Sequence, residues 1–174
     1  QMRQYIRAAN VTWGGWDLSD IKEMNFDDKE FSRFVLRDGD VVLNEGSGSA
    51  KEVGKPAIWR GAIPDCCFQN TLLRVRPTEA TSEYLYFYFY YCASSGLFVE
   101  STQGLNISHI GKDGLSKFPV PIPPLEEQAE IVRRVESLFA LADSIESRLA
   151  EATGQLERTT QAILAKALRG DFTV

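Results

Sequence analysis

The stretch that decides the architecture is Pro121–Phe172, PIPPLEEQAEIVRRVESLFALADSIESRLAEATGQLERTTQAILAKALRGDF. Alternating prolines end an extended segment, and Pro123-Pro124 then opens a helix whose first turn carries Glu126 and Glu127, where the helix dipole favours negative charge. Apolar or small residues recur at Ile131, Val135, Leu138, Ala142, Ile145, Leu149, Ala152, Leu156, Thr159 and Ile163. The gaps between them alternate four and three throughout, which is the seam of a coiled coil. Gly154 and Thr159 weaken the pattern locally without breaking its register. At 1.5 Å per residue, Leu125 to Leu168 spans roughly 65 Å, more than the width of a small domain. A helix folded back on its own domain could not cover ten seam positions in register. The seam therefore predicts pairing with another long helix, either in a homodimer or with a second half of the same kind. Gly170, following Lys166 and Arg169, ends the helix.

Outward from this arm, the rest of the 174 residues can bury one globular core, since 44% of the chain is hydrophobic. The expected class is α+β: a mixed α/β head with a twisted sheet over residues 1–120, then one long C-terminal coiled-coil helix over 121–174. Asp38-Gly39-Asp40 marks a turn, with a short buried strand at Val41-Val42-Leu43 behind it. Ala57-Ile58-Trp59 and Phe68 to Val75 read as further strands, the second stopping before Pro77. Ser82 reads as the N-cap of a helix from Glu83 to Ser94 closed by Gly96, although its aromatics also suit a strand. A short helical stretch is expected around Leu97–Thr102, and an extended segment from Phe118 to Pro123.

Composition excludes several function classes. The longest apolar run, Tyr84 to Ala93, is far shorter than the roughly 20 residues of a membrane crossing, so no membrane partner is expected. No signal peptide opens the chain, and Gln1 in place of an initiator methionine suggests a piece of a longer protein. Three cysteines, two of them adjacent (Cys66, Cys67), make neither a disulfide scaffold nor, with one histidine, a zinc site, so a reducing cytoplasm is expected. His109 has no serine or cysteine partner in a nucleophile–base arrangement, and the acids show no paired-carboxylate or metal-ligand spacing. The glycine fingerprint of a methyl-donor or dinucleotide site is missing, as is the Asn/Asp-Pro-Pro-aromatic tetrapeptide of amino-methyltransferases. No catalytic residues, metal site or cofactor are expected in this chain.

Net charge is −5, which argues against a free-standing nucleic-acid binder, but its distribution is uneven. Residues 44–76 carry Lys51, Lys55, Arg60, Arg74 and Arg76 against Glu45, Glu52 and Asp65, a modest basic face. Gly46-Ser47-Gly48-Ser49 lacks the spacing of a phosphate-binding P-loop, yet its glycine permits close backbone approach to a DNA phosphate. Trp59-Arg60, Gln69-Asn70, Arg74 and the run Gln103-Gly104-Leu105-Asn106-Ile107-Ser108 set amides and guanidinium groups in or beside loops. Asn and Gln can read adenine edges and Arg guanine, each through paired hydrogen bonds. Taken together with Lys51, Lys55 and Lys112, these residues make a candidate DNA-reading face. The alternative is a coiled-coil assembly protein whose α/β head binds another protein.

The order GDVVLNEGSGSAKEVGKPAIW (39–59), CCFQNTLLRVRP (66–77), STQGLNISHIGKDGLSKFPVPIPPLEEQAEIV (101–132) and AILAKALRGDF (162–172) resembles the specificity subunit of Type I restriction-modification systems. The likeness covers nearly the whole chain, with PxPPLEEQxxIV as its most specific piece. In that family a full subunit carries two target recognition domains and two long helices; here there is one of each. The resemblance therefore implies half a specificity subunit, natural or excised, reading one half of a bipartite site in double-stranded DNA. It implies a helix pair acting as a ruler and as the platform for methyltransferase (modification) subunits and, through them, restriction subunits. S-adenosylmethionine, ATP and Mg would belong to those partners, which carry the catalysis.

Overall fold

The computed structural model describes residues 1–46, 52–100 and 109–170, and divides into two compact units, Gln1–Val132 and Arg133–Val174. The first unit is a mixed α/β body. Its strands are β1 (Met2–Ile6), β2 (Val11–Thr12), β3 (Gly15–Trp16), β4 (Lys22–Asn25), β5 (Val41–Asn44), β6 (Pro56–Ile58), β7 (Cys67–Phe68) and β8 (Leu72–Val75). Its helices are α1 (Asp28–Phe34), α2 (Ser82–Ser94), α3 (Leu97–Glu100) and α4 (Lys112–Lys117), and the long helix α5 (Leu125–Arg169) begins within it. The mixed α/β head expected from the sequence is present, its described strands arranged in three small sheets, ordered β4-β1-β7, β2-β3 and β6-β5-β8.

The sheet β6-β5-β8 organises the core. β5 pairs antiparallel on both sides, Val42 opposite Ala57 on β6 and Arg74 on β8. All four β5 residues are buried, as a short apolar run between two covered faces must be. Alternation along the strand sends Val41 and Leu43 into one cluster with Leu73, Leu85, Phe89, Phe98 and Ile110. Val42 enters a second cluster with Ile6, Leu36, Ala57, Trp59, Cys66 and Phe68. The turn before β5 is the expected one: Gly39 takes φ +83°, and the buried Asp40 carboxylate accepts from the Arg37 N–H at 2.8 Å.

Three sequence expectations shift. The run Phe68 to Val75 is broken at Gln69–Thr71, so that Cys67-Phe68 joins β1 in parallel while Leu72–Val75 joins β5 antiparallel. The N-cap of α2 is Thr81 rather than Ser82: the Thr81 hydroxyl accepts from the Tyr84 N–H at 3.2 Å, and Ser82 donates instead to the Gly39 carbonyl. α1 was not anticipated, although its start is a capping box, with Asp27 accepting from the Glu30 N–H at 2.8 Å and Glu30 accepting from the Asp27 N–H at 3.1 Å. The helix α2 does close at Gly96, with φ +79°. α3 begins at Leu97 as expected, and residues 101 and 102 lie outside those described.

The second unit continues α5 from Arg133, and in it the seam is exposed in the single chain: Leu138, Leu149 and Leu156 are each about two-thirds open. Ala142, Ile145, Ala152, Thr159 and Ile163 are exposed with them. Thr159 satisfies its hydroxyl within its own helix, donating to the Gln155 carbonyl at 2.9 Å. Ile131 differs from the other seam positions, because it packs against the core cluster of the first unit. Val135 is half-buried. Among the described helices none is long and apolar enough to cross a membrane.

Candidate nucleic-acid interface

A groove of about 600 Å³ opens on the first unit between the end of α1, the turn joining β7 to β8, the end of β5 and the start of α4. Each element delivers one group for a local reason. The last turn of α1 supplies Arg33, where a cation suits the helix dipole, with its guanidinium 5.1 Å from the Phe34 ring. The β7–β8 turn supplies Asn70, exposed at its tip. α4 begins at Lys112, which is exposed and makes no ion pair among the described residues.

Strand β8 supplies Arg74, the most firmly held of the cations. Its Nη1 donates to the Val35 carbonyl at 2.9 Å, and its guanidinium lies 5.4 Å from the Phe68 ring. Phe68 in turn meets Phe34 edge-to-face at 5.3 Å, so two rings floor the groove under the cations. Burial, reinforced by the neighbouring Arg76, lowers the Arg74 pKa, though a guanidinium stays charged at neutral pH. Among the described residues, Glu45 is the one acid on the wall, against Arg33, Arg74 and Lys112. A concave wall with three cations and one acid draws phosphate oxygens, while the Asn70 amide can both donate and accept. Next to Glu45, Gly46 is bridged to His109, and the Ile110 N–H donates to the Glu45 carbonyl at 2.8 Å. The chain just before residues 47–51 and just after residues 101–108 is thus tied together beside Glu45.

The candidates named from the sequence divide into five sets. Asn70, Arg74 and Lys112 line the groove. Gly46 sits at its edge, and Gln69 is half-buried with its side-chain oxygen accepting from the Thr71 hydroxyl at 3.4 Å. Trp59 and Lys55 are corrected: they face inward. Trp59 is 1% exposed and packs edge-on against Trp16 at 5.4 Å, so it is a core ring with no face for a base. Lys55 is buried, with its ammonium paired to Glu52, so its charge is spent inside the protein. Arg60 is half-exposed but paired with Glu83, away from the groove residues. Ser47, Gly48, Ser49, Lys51, Gln103, Gly104, Asn106 and Ser108 lie outside the described residues. Arg33 and Phe34 were missed, and the Asp27–Glu30 capping box was the signal that a helix starts there and carries them at its end. Among the described residues no cluster of three His, Cys, Asp or Glu side chains could hold a metal ion.

Comparison with known proteins places this geometry in context. The family model described as "Type I restriction modification DNA specificity domain" matches residues 15–153. The Type I restriction enzyme EcoKI specificity subunit of Escherichia coli K12 is 37% identical over 97% of this chain and 37% of its own length. The StySPI specificity subunit of Salmonella potsdam is 34% identical, again over 97% of this chain and 37% of its own. A chain from a solved structure concerned with complex assembly and conformational transition of the type I R-M system superposes with a TM-score of 0.73 at 25% identity. That match covers 98% of this chain and 39% of the other. The chain therefore spans little more than a third of the length of the curated relatives it matches.

Proposed function

The chain belongs to the Type I restriction-modification DNA specificity family, and from that membership we propose that it reads one half of a bipartite DNA site. The groove of Arg33, Asn70, Arg74 and Lys112 is the observation that carries this assignment. In it the cations hold phosphates and so fix register, while the exposed Asn70 amide and the flanking segments meet base edges. The long helix pairs through its seam with a second such helix, setting the separation of two reading heads. The same helices form the platform on which modification subunits dock, and restriction subunits join through them. Methyl transfer from S-adenosylmethionine and the ATP- and Mg-dependent steps belong to those partners, and this chain contributes target choice.

The test is equilibrium binding of the chain with its modification partner to duplexes carrying a bipartite site selected from a randomised library. Arg33→Glu combined with Lys112→Glu is expected to weaken binding at least tenfold and to reduce the salt slope by about 2. Both residues are exposed, so the fold survives the change. A wild-type complex with no sequence preference at low salt would refute the assignment and favour an assembly protein with a protein-binding head.

A further inference from the structure

The segment Phe118 to Pro124 has a proline at positions 119, 121, 123 and 124, and the carbonyls of the first three are all taken by side chains. Tyr88 donates its hydroxyl to the Pro119 carbonyl at 3.0 Å, Tyr84 to the Pro121 carbonyl at 2.8 Å, and Gln128 its amide to the Pro123 carbonyl at 2.8 Å. Every second carbonyl of an extended strap is thereby tied down. Proline fixes φ, so the strap has little freedom to lose when it is bound. The two tyrosines stand one turn apart on α2, their rings stacked at 6.4 Å.

Gln128 stands out from its surroundings. It is 0% exposed, whereas Leu125, Glu126, Glu127 and Ala129 around it on the first turns of α5 are open to solvent. Besides donating to Pro123, it accepts through Oε1 from the backbone N–H of Thr81, the N-cap of α2, at 2.8 Å. One amide thus satisfies an acceptor before α5 and a donor before α2, and only one orientation of its two ends does both. A side chain of this length in an apolar site would cost stability if unpaired, so its presence calls for a reason beyond packing. Ile131 and Val132, one turn further on, rest against the same core cluster.

We propose that Gln128 is a positioning residue for DNA reading, which joins the start of the helical arm to the recognition head and so sets how sharply the complex discriminates spacer length. This rests on the ruler function proposed above. The strap and the Tyr84 and Tyr88 hydroxyls form the rest of the joint. A loosened joint leaves each head competent to bind its own half-site but lets the separation between heads vary.

The experiment uses the full chain with its modification partner, on the selected bipartite site with its spacer at optimal length or changed by one base pair, and on a duplex carrying one half of the site. Wild type is expected to favour the optimal spacer by roughly tenfold or more, since ångström-scale misplacement costs factors of this order. Gln128→Met, which keeps the length and removes both hydrogen bonds, is expected to reduce that preference to about threefold or less with single-half-site affinity unchanged. Tyr88→Phe, which removes the hydroxyl that donates to the Pro119 carbonyl, is expected to move the preference the same way by less, and decides the matter if Gln128→Met does not fold. An unchanged spacer preference in the variants overturns the proposal. So does a loss of half-site affinity equal to the loss on the bipartite site, which would make Gln128 a support of the head alone. Failure of the underlying ruler function is seen separately, as a wild-type complex indifferent to spacer length.

Discussion

The Asp40–Arg76 pair shows how a single side chain can be legible as chemistry yet misplaced as function. Asp40 is fully buried beside the β5 turn, and Arg76 meets it with two prongs, Nε to Oδ1 and Nη2 to Oδ2, both at 2.7 Å. That hydrogen bonding raises the Arg76 pKa, with burial opposing. In sequence Arg76 counted towards a basic face; in the fold its charge is matched internally. Arg76→Ala strands a buried carboxylate, and because the site is partly open on the arginine side the expected loss is about 2–3 kcal/mol by urea unfolding. Arg76→Lys is expected to recover only part of it, since an ammonium cannot make the paired contact. The cysteines give a pH signature. Burial pushes Cys66 up to about 12, helped by Cys67, and Cys67 up to about 11, from an ordinary 9.0. Unfolded thiols therefore ionise at lower pH than folded ones. Their contribution to stability is complete below about pH 9 and is lost as pH rises towards 12. Urea midpoints should fall across that window, and the native thiols should resist a disulfide reagent at pH 8 that titrates the unfolded chain at once.

The long helix is the element that the sequence described best, because a 3.5-residue repeat can be read without knowing any neighbour. It runs Leu125–Arg169 and stops at Gly170, which takes φ +77°. Its exposed seam predicts that Leu149→Glu, at a position two-thirds open in the single chain, weakens self-association by at least tenfold in sedimentation equilibrium while leaving the head's thermal unfolding unchanged. Equal association of the two proteins would mean that the seam is not the contact. Short strands were harder. Phe68 and Leu72 lie in a stretch that reads as one strand, but a turn at Gln69–Thr71 gives them to different sheets, a choice made by distant partners at Ile6 and Asn44. The Tyr-rich segment Ser82–Ser94 had strand propensity and became a helix because its cap and Gly96 agreed with packing against β5 and β6.

In solution the whole chain is expected to run at twice its 19.5 kDa, with light scattering as the check; a monomer would leave the eight exposed seam positions from Leu138 to Ile163 without a purpose. The groove proposed to read DNA exists only in the folded molecule. Arg33, Asn70, Arg74 and Lys112 come from four separate elements, and no spacing rule links them. Trp59 and Arg33 make the contrast plain: the tryptophan was named among the DNA-contact candidates and is core, while the arginine drew no attention and lines the groove. The sequence by itself determined the α+β class, the strut-like helix with its register, the family and the lack of catalytic motifs. These follow from local periodicity, capping and motif order, which are properties of neighbouring residues. Only the tertiary structure decided which polar residues face outward, which cations are already neutralised, and that Gln128 ties α5 to α2. Burial and pairing depend on contacts between residues far apart in the chain, and those are set when the sheets and helices close on one core.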